Sequence, residues 1–344
     1  MNALGPVAEK TAGRRFAWLR APRFWLGMAL SLLALYLTVK DVQWSEVGAA
    51  LAKADLFFLL LALGSVVLNT WAKVVRWRLL FYPAHAQLSM LNCTSALLVG
   101  QLANKLLPAR LGDLMRAYFI GEDSGVSKLF ALATTVVEKA LDSVMLLLLI
   151  ALLSLWTPIP SWLRRSSLLL SAVLAVLLLA VVLLANQRQR IVEALGRWMQ
   201  RYRALAFLRL VRRLAEASAE LRALRHVAVQ ARLWAWSVLV WALGIATNAL
   251  VFRVLDLTVH PLASPLLMVV LMTGAILPTS PLQVGVFHYL CVVTLSLFGV
   301  ERNVALSYAV VLHLVVHVPI VLGGVLGLWA GNYDFHRPDI SSGG

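Results

Sequence analysis

The sequence predicts an all-α polytopic membrane protein. Its 344 residues are 61% hydrophobic and only 14% charged, whereas about a quarter of the residues in a soluble domain carry charge. Several apolar runs reach the roughly 20 residues that a helix needs to cross a hydrocarbon core of about 30 Å. We therefore expect a single integral membrane domain over residues 1–344, with about six full spans and two further segments that enter and leave the membrane on one side.

The basic residues of the chain flank its apolar runs. The net charge is +15, and this placement indicates contact with an anionic membrane surface instead of nucleic acid. The positive-inside rule then places the N-terminus (1–23) and the tail (331–344) in the cytoplasm. No small-residue cleavage site follows the first apolar run, so we expect that run to be retained as a span. The expected location is the inner membrane of a bacterial cell.

The apolar runs form two halves around an arginine-rich segment. We predict spans near 24–40, 56–80, 129–156, 166–185, 233–255 and 304–330. The first half covers 24–185 and the second covers 233–330. In the arginine-rich segment between them, 186–232, apolar residues recur every three or four positions, which predicts an amphipathic helix. This cytoplasmic segment either lies on the membrane surface or forms a solvated helical hairpin that sets the topology.

Two interrupted segments occupy corresponding places in the two halves. They read "GQLANKLLPARLGDLMRAY" (100–118) and "MTGAILPTSPLQVGVFHY" (272–289). Each joins a Leu-Pro step, which stops a helix, to a glycine a few residues later. Broken backbone persists at membrane depth only inside protein or beside a wet cavity, and paired breaks indicate an inverted-repeat transporter. We predict two re-entrant broken-helix hairpins, with two continuous proline-kinked spans as the alternative.

Two carboxylates lie inside the third predicted span. Glu138 and Asp142 are four residues apart and share one helix face. Glu138 lies roughly 15 Å from the start of the span, where a charge costs at least ~2.5 kcal/mol. We expect Arg110 and Arg116 of the first hairpin to be the partners, with Lys139 pointing elsewhere. The arginines either bind a lipid phosphate or form an ion-pair lock with a purely structural role.

The polar and conformationally special residues of both breaks complete the predicted site. Its substrate-binding or translocation residues are Asn104, Pro108, Arg110, Gly112, Asp113, Arg116, Glu138, Asp142, Pro278, Ser280, Pro281, Gly285 and His288. We expect no cofactor and no metal, because His313 and His317 form an i, i+4 pair without a third convincing ligand. Cys93 and Cys291 have no metal-binding spacing. The histidine pair is interpreted as lining the cavity or satisfied by packing.

The first hairpin carries a specific family pattern. "NKLLPARLGD", followed by Arg116 and the Glu138–Asp142 pair, resembles the N-x-x-x-P-x-R-x-G-[ED] motif and later E-x-x-x-D pair of the lysylphosphatidylglycerol synthase transmembrane region, also called the flippase-like domain family. The resemblance covers roughly residues 20–330. The second hairpin resembles the L-P-x-S-P-G-G-x-G-x-x-E motif of that family. Leu282 and Gln283 replace its two glycines and His288 replaces its glutamate, so the role of that carboxylate is not carried over.

The resemblance implies that the protein moves lipid between leaflets, with phosphate-bearing or anionic lipids as its partners. The head group would enter between the hairpins, and Arg110 and Arg116 would attract its phosphate. About 14 residues follow the last span, so we expect no aminoacyltransferase domain and no such activity. One alternative is a membrane-embedded enzyme that acts on lipid-linked sugars and uses Asp41, Glu46 or Asp55 as acidic residues. Another is a non-catalytic partner of an envelope lipid-modifying complex, docked through 186–232. A second copy of the chain, in a homo-oligomer, or a lipid-modifying enzyme is a further candidate partner.

Overall fold

A computed structural model describes residues 22–40, 42–107, 111–156, 222–275 and 280–330. All regular secondary structure within these ranges is helical. The α-helices there are α1 (Pro22–Val39), α2 (Trp44–Ala52), α3 (Leu56–Leu79), α4 (Met90–Leu106), α5 (Gly112–Ser124), α6 (Lys128–Ser154), α7 (Val227–Val254), α8 (Ala263–Gly274), α9 (Val286–Ser296) and α10 (Arg302–Ala330). Short 3-10 helices cover Ala84–Gln87, Arg222–Arg225 and Pro281–Gln283.

Three of these helices are long and apolar enough to cross a membrane. They are α3, α7 and α10, which match the second, fifth and sixth predicted spans. The first and third predicted spans coincide with α1 and α6, and α6 also carries the charges of Glu138, Lys139 and Asp142. Helix α2 lies between the first and second predicted spans, where no helix was predicted. The fourth predicted span and most of the arginine-rich segment lie outside the described residues.

Polar side chains fix where several helices begin. The Oδ1 of Asp55 accepts hydrogen bonds from the backbone N–H of Phe57 at 2.8 Å and Phe58 at 3.3 Å. The hydroxyl of Ser89 accepts from the N–H of Leu91 at the start of α4, and Ser127 caps α6 in the same way. These residue types satisfy the free N–H groups of a first helical turn. The chain thus enters each of these helices at a defined residue.

The first predicted break separates α4 from α5, so the interruption of the helix at this site is confirmed. A Cβ atom at Gly112 would collide with the carbonyl oxygen of Gly100, and a Cβ at Gly100 would lie 2.9 Å from the Cβ of Arg116. Helix α5 therefore folds back closely along α4. Asn104 Nδ2 donates to Asp113 Oδ1 at 3.1 Å and ties the two arms together. Only a residue without a side chain permits this approach of the two backbones.

The second predicted break separates α8 from α9. The arms again fold back on each other, since a Cβ at Gly274 would overlap the side chain of Leu290. Gly285 has a φ of +91° and lies directly against the carbonyl oxygen of Ser31 on α1. The backbone N–H of Ser280 donates to the hydroxyl of Ser31 at 2.7 Å. The tip of the second hairpin is therefore seated on α1.

The two halves contact each other in a matching pattern. Helix α3 packs against α7, and each of these helices also touches the first arm of its own hairpin, α4 or α8. The helix that follows each hairpin packs on the other hairpin as well: α6 meets α8, and α10 meets α4. This reciprocal arrangement supports the correspondence between the halves that their paired breaks indicated.

Candidate functional site

Four charged side chains form a cluster between helices α3, α5 and α6. We call Arg76, Arg116, Glu138 and Asp142 the ion cluster. Arg116 Nη2 lies 2.6 Å from Glu138 Oε2, and Arg76 Nη2 lies 3.4 Å from Glu138 Oε1. Arg76 Nη1 lies 2.7 Å from Asp142 Oδ1. The expected pairing of Arg116 with Glu138 is present, while Arg110 lies outside the described residues.

Three members of the ion cluster are buried, whereas the side chain of Asp142 is partly exposed. Arg76 is 0% exposed, and Arg116 and Glu138 are each 4% exposed. The guanidinium of Arg116 stacks over the ring of Trp77, 4.3 Å from its centroid, a favourable cation–π geometry. Each carboxylate thus has a guanidinium partner, which is the condition under which buried charges persist.

Neutral side chains add hydrogen bonds to the ion cluster, although the Nε atoms of Arg76 and Arg116 are buried without a partner among the described residues. Arg76 Nη1 donates to Ser237 Oγ at 3.2 Å, and Arg116 Nη2 donates to Thr135 Oγ1 at 3.0 Å. The indole Nε1 of Trp241 donates to Asp142 Oδ1 at 3.4 Å. Because Ser237 and Trp241 belong to α7, the cluster joins that helix to α3, α5 and α6.

A second ion pair connects the same hairpin arm to α6. Lys139 Nζ lies 3.6 Å from Asp113 Oδ1, and the two side chains are partly exposed. Lys139 therefore pairs with Asp113, whereas its neighbour Glu138 pairs with Arg116. Helix α5 contributes the cation of one pair, Arg116, and the anion of the other pair, Asp113. This arrangement favours one register of α5 on α6.

The two hairpin breaks meet at a separate polar contact. We call Lys105, Gln283 and His317 the tip junction. Lys105 Nζ, on the last turn of α4, donates to Gln283 Oε1 at 3.0 Å and lies 3.1 Å from His317 Nε2. Gln283 belongs to the 3-10 turn of the second break, and His317 belongs to α10. The junction thus joins both hairpins and the last helix through one ammonium group.

Three histidine rings stack at the tip junction. The ring centroids of His313 and His317 are 4.0 Å apart, and those of His288 and His313 are 4.8 Å apart. His317 Nδ1 lies 3.0 Å from the carbonyl oxygen of His313, so we assign its proton to Nδ1. Its Nε2 then accepts from Lys105. Over the residues that the structure describes, no three His, Cys, Asp or Glu side chains are arranged to hold a metal ion.

The predicted site residues therefore fall into three places. Arg116, Glu138 and Asp142 belong to the ion cluster, whereas Asn104, Gly112 and Asp113 join the arms of the first hairpin. Ser280, Pro281, Gly285 and His288 lie at the second break or beside it. Pro108, Arg110 and Pro278 lie outside the described residues. The structure thus distributes the candidates between an ion cluster and the two breaks.

Reasoning from the sequence did not place Arg76, Lys105 or Gln283 in the site, and it assigned His317 only to the cavity lining or to packing. Arg76 lies at the basic end of an apolar span, a position that also fits a topology signal. A signal was available: two carboxylates on one helix face require two cations. The contacts of Lys105 join residues 178 and 212 positions apart, which no local pattern encodes.

The acidic residues of the enzyme alternative have other contacts. Glu46 Oε2 accepts a hydrogen bond from Asn303 Nδ2 at 2.6 Å. Asp55 caps the first turn of α3, and Asp41 lies outside the described residues. Glu46 therefore joins α2 to α10, whereas Asp55 caps α3, so the two carboxylates have separate structural contacts.

Comparison with known proteins gives a family but no activity. The family model of the lysylphosphatidylglycerol synthase TM region matches residues 24–324. A protein described as a UPF0104 membrane protein, from Methanothermobacter thermautotrophicus, is 23% identical over 303 residues, which cover 84% of this chain and 89% of the relative. No solved structure matches the chain.

Proposed function

We propose that this chain, which belongs to the family of the lysylphosphatidylglycerol synthase TM region, moves a phosphate-bearing lipid between the leaflets of a membrane. The observation that carries the proposal is the meeting of two helix breaks from different halves at Lys105, Gln283 and His317. We also propose an inner-membrane location with both termini in the cytoplasm. The basic flanks of the apolar runs support this orientation.

A polar junction inside an apolar helix assembly suits the transfer of a head group. A charged or hydrogen-bonding head group is too costly to move through hydrocarbon alone. Helix breaks are tolerated at membrane depth where they line a polar cavity, and in inverted-repeat transporters they form the substrate site. The tip junction supplies an ammonium, an amide and an imidazole at such a place. Separation of the hairpin tips would open a polar path while the acyl chains remain in lipid.

The ion cluster has a different part in this proposal. Its arginines already bind carboxylates, and Arg116 is covered by Trp77. A lipid phosphate would have to displace Glu138 to reach Arg116, at the cost of a buried unpaired carboxylate. The geometry therefore favours the structural lock between hairpin and span over direct phosphate binding. The cluster anchors α5 so that movement occurs at the tip.

The experiment is leaflet exposure of fluorescent phosphatidylglycerol in proteoliposomes that contain the full chain. A membrane-impermeant quencher reports the fraction of labelled lipid in the outer leaflet. We expect the protected fraction to fall faster with protein than in protein-free vesicles of the same composition. Equal rates in the two preparations would contradict the proposal.

A reversible crosslink tests whether the second tip must move. The double variant Ser31→Cys, Ser280→Cys places two thiols where the N–H of Ser280 meets the hydroxyl of Ser31. The native Cys93 and Cys291 are buried and free, so they are protected from a mild oxidant. We expect lipid movement to stop on oxidation and return on reduction. Full movement in the verified crosslinked protein would exclude motion of this tip from the mechanism.

A further inference from the structure

We propose that the tip of the second hairpin, residues 280–285, is a strained latch that is poised to release the contact between the two breaks. We call these six residues the tip latch. Its part in lipid transfer rests on the proposed function, because release of the latch would open the polar path for the head group. Opening of the latch itself can be measured without any movement of lipid.

The first argument is the backbone conformation of the tip latch. Leu282, Gln283 and Gly285 have φ values of +58°, +60° and +91°. In the left-handed region the Cβ of an L-residue crowds the following carbonyl oxygen, and a bulky residue such as leucine is rarely found there. The φ of +91° and ψ of −69° at Gly285 are close to the γ-turn form that is rare and strained. The latch thus concentrates strain within four consecutive residues.

The second argument is the contrast with Asp256, the other non-glycine residue with a positive φ in the part of the chain that the structure describes. Asp256 directly follows the end of α7, where a left-handed residue commonly terminates a helix, and aspartate tolerates this conformation. Leu282 and Gln283 instead lie side by side at the contact between the hairpins. Strained residues of this kind cluster at functional sites and switch regions.

The third argument is the set of contacts that hold the tip latch. The N–H of Ser280 donates to Ser31 Oγ at 2.7 Å, and the N–H of Gln283 donates to the carbonyl oxygen of Ser280 at 2.9 Å. Ser280 Oγ donates to the carbonyl oxygen of Val284 at 3.0 Å. Gln283 Oε1 accepts from Lys105 Nζ of the first hairpin at 3.0 Å. A strained conformation persists only while its surroundings over-determine it.

These contacts give the tip latch a direction of change. Separation of the two hairpins breaks the hydrogen bond between Lys105 and Gln283 and removes one constraint from a strained backbone. The open tip can then leave the left-handed region. Strain therefore raises the free energy of the closed tip relative to the open one and makes opening easier. A substitution that removes strain should keep the latch closed for longer.

Hydrogen–deuterium exchange of the full chain in detergent tests the tip latch directly. The N–H groups of Ser280 and Gln283 are hydrogen-bonded in the closed tip, so they exchange when it opens. Peptides that cover the tip are followed by mass spectrometry, and exchange is expressed as protection relative to the intrinsic rate of each sequence. Peptides from α3 report in the same digest that the variant is folded.

The decisive comparison is Leu282→Gly against Leu282→Ala. Both remove the leucine side chain, but only glycine adopts a positive φ without strain. We expect exchange at the tip to be about threefold slower with glycine than with alanine, because the relief of strain exceeds the added freedom of the open chain.

Val284 provides the matched control within the tip latch, because its φ is −56°. Glycine adds freedom there and relieves no strain. Val284→Gly should therefore exchange about threefold faster than Val284→Ala. Exchange in Leu282→Gly that equals or exceeds that of Leu282→Ala overturns the latch. If either Leu282 variant is unfolded, the same glycine–alanine pair at Gln283 gives the comparison, and glycine should again be slower.

Lipid movement by the same variants separates the latch from the proposed function. Slower movement of fluorescent phosphatidylglycerol by Leu282→Gly than by Leu282→Ala supports both. Slower exchange with no lipid movement by the parent keeps the latch and removes the function. Lipid movement by the parent without the opposite signs at 282 and 284 keeps the function and removes the latch. Slower exchange with equal lipid movement by the Leu282 pair excludes the latch from lipid transfer.

Discussion

The ion cluster and the tip junction are both polar groups inside an apolar helix assembly, yet they hold their charges differently. In the ion cluster, two arginines meet two carboxylates, and neutral donors and acceptors from neighbouring residues add further hydrogen bonds. At the tip junction, one lysine is held by an amide and an imidazole. The cluster joins four helices, whereas the junction joins two breaks and α10.

This difference indicates separate roles for the two regions. Removing one member of a buried ion pair leaves an uncompensated charge and costs about 3–5 kcal/mol. The hydrogen bonds of Lys105 to Gln283 and His317 are made to neutral acceptors, and exchanging one such acceptor for another costs less. We therefore expect the ion cluster to govern folding stability and the tip junction to govern ligand binding. The predictions below test this division.

The largest expected effect comes from Glu138→Gln. The substitution removes the carboxylate shared by Arg76 and Arg116, so the free energy of unfolding should fall by about 3–5 kcal/mol. A thiol-reactive dye measures the change in Tm, because Cys93 and Cys291 are buried in the folded protein. The control is Glu122→Gln, which removes an exposed partner of Lys128 and should leave Tm unchanged. Parental Tm in Glu138→Gln would show that the cluster does not stabilise the fold.

A smaller loss is expected from Gly285→Ala. This residue has a φ of +91° and touches the carbonyl oxygen of Ser31, so alanine adds backbone strain of about 1–3 kcal/mol and a collision with α1. The matched control is Gly125→Ala, where φ is +64° and the space around the glycine is open. It should lose only about 1–2 kcal/mol from the left-handed conformation. Equal losses of Tm would mean that the second break is not seated on α1.

The smallest expected change in stability is that of Lys139→Gln. Its pair with Asp113 is 3.6 Å long and partly exposed, and such pairs contribute about 0–1 kcal/mol. Tm should therefore fall slightly or not at all, although the charged residue lies directly beside Glu138 in the sequence. A loss as large as that of Glu138→Gln would show that the two pairs form one cooperative network.

The sequence predicted much of this arrangement because helix length and helix breaks are local properties. The apolar runs predicted α3, α7 and α10, and the positions of proline and glycine predicted both breaks. The spacing of Glu138 and Asp142 predicted a shared face and an arginine partner. Arg76 was missed because its partner Glu138 is 62 residues away in the sequence. A basic residue at the end of a span also has an ordinary explanation as a topology signal. Lys105 meets Gln283 only through tertiary packing, so its contacts required the structure.

Lipid movement by the Lys105→Gln variant is the measurement that tests the central claim most directly. The variant and the parent are reconstituted at equal protein content, and leaflet exposure of fluorescent phosphatidylglycerol is followed in both. We predict that the folded Lys105→Gln variant moves the lipid at least about tenfold more slowly than the parent, because the tip junction loses the ammonium group that joins both breaks. Movement at the parental rate by the folded variant would contradict the assignment of the tip junction as the working site.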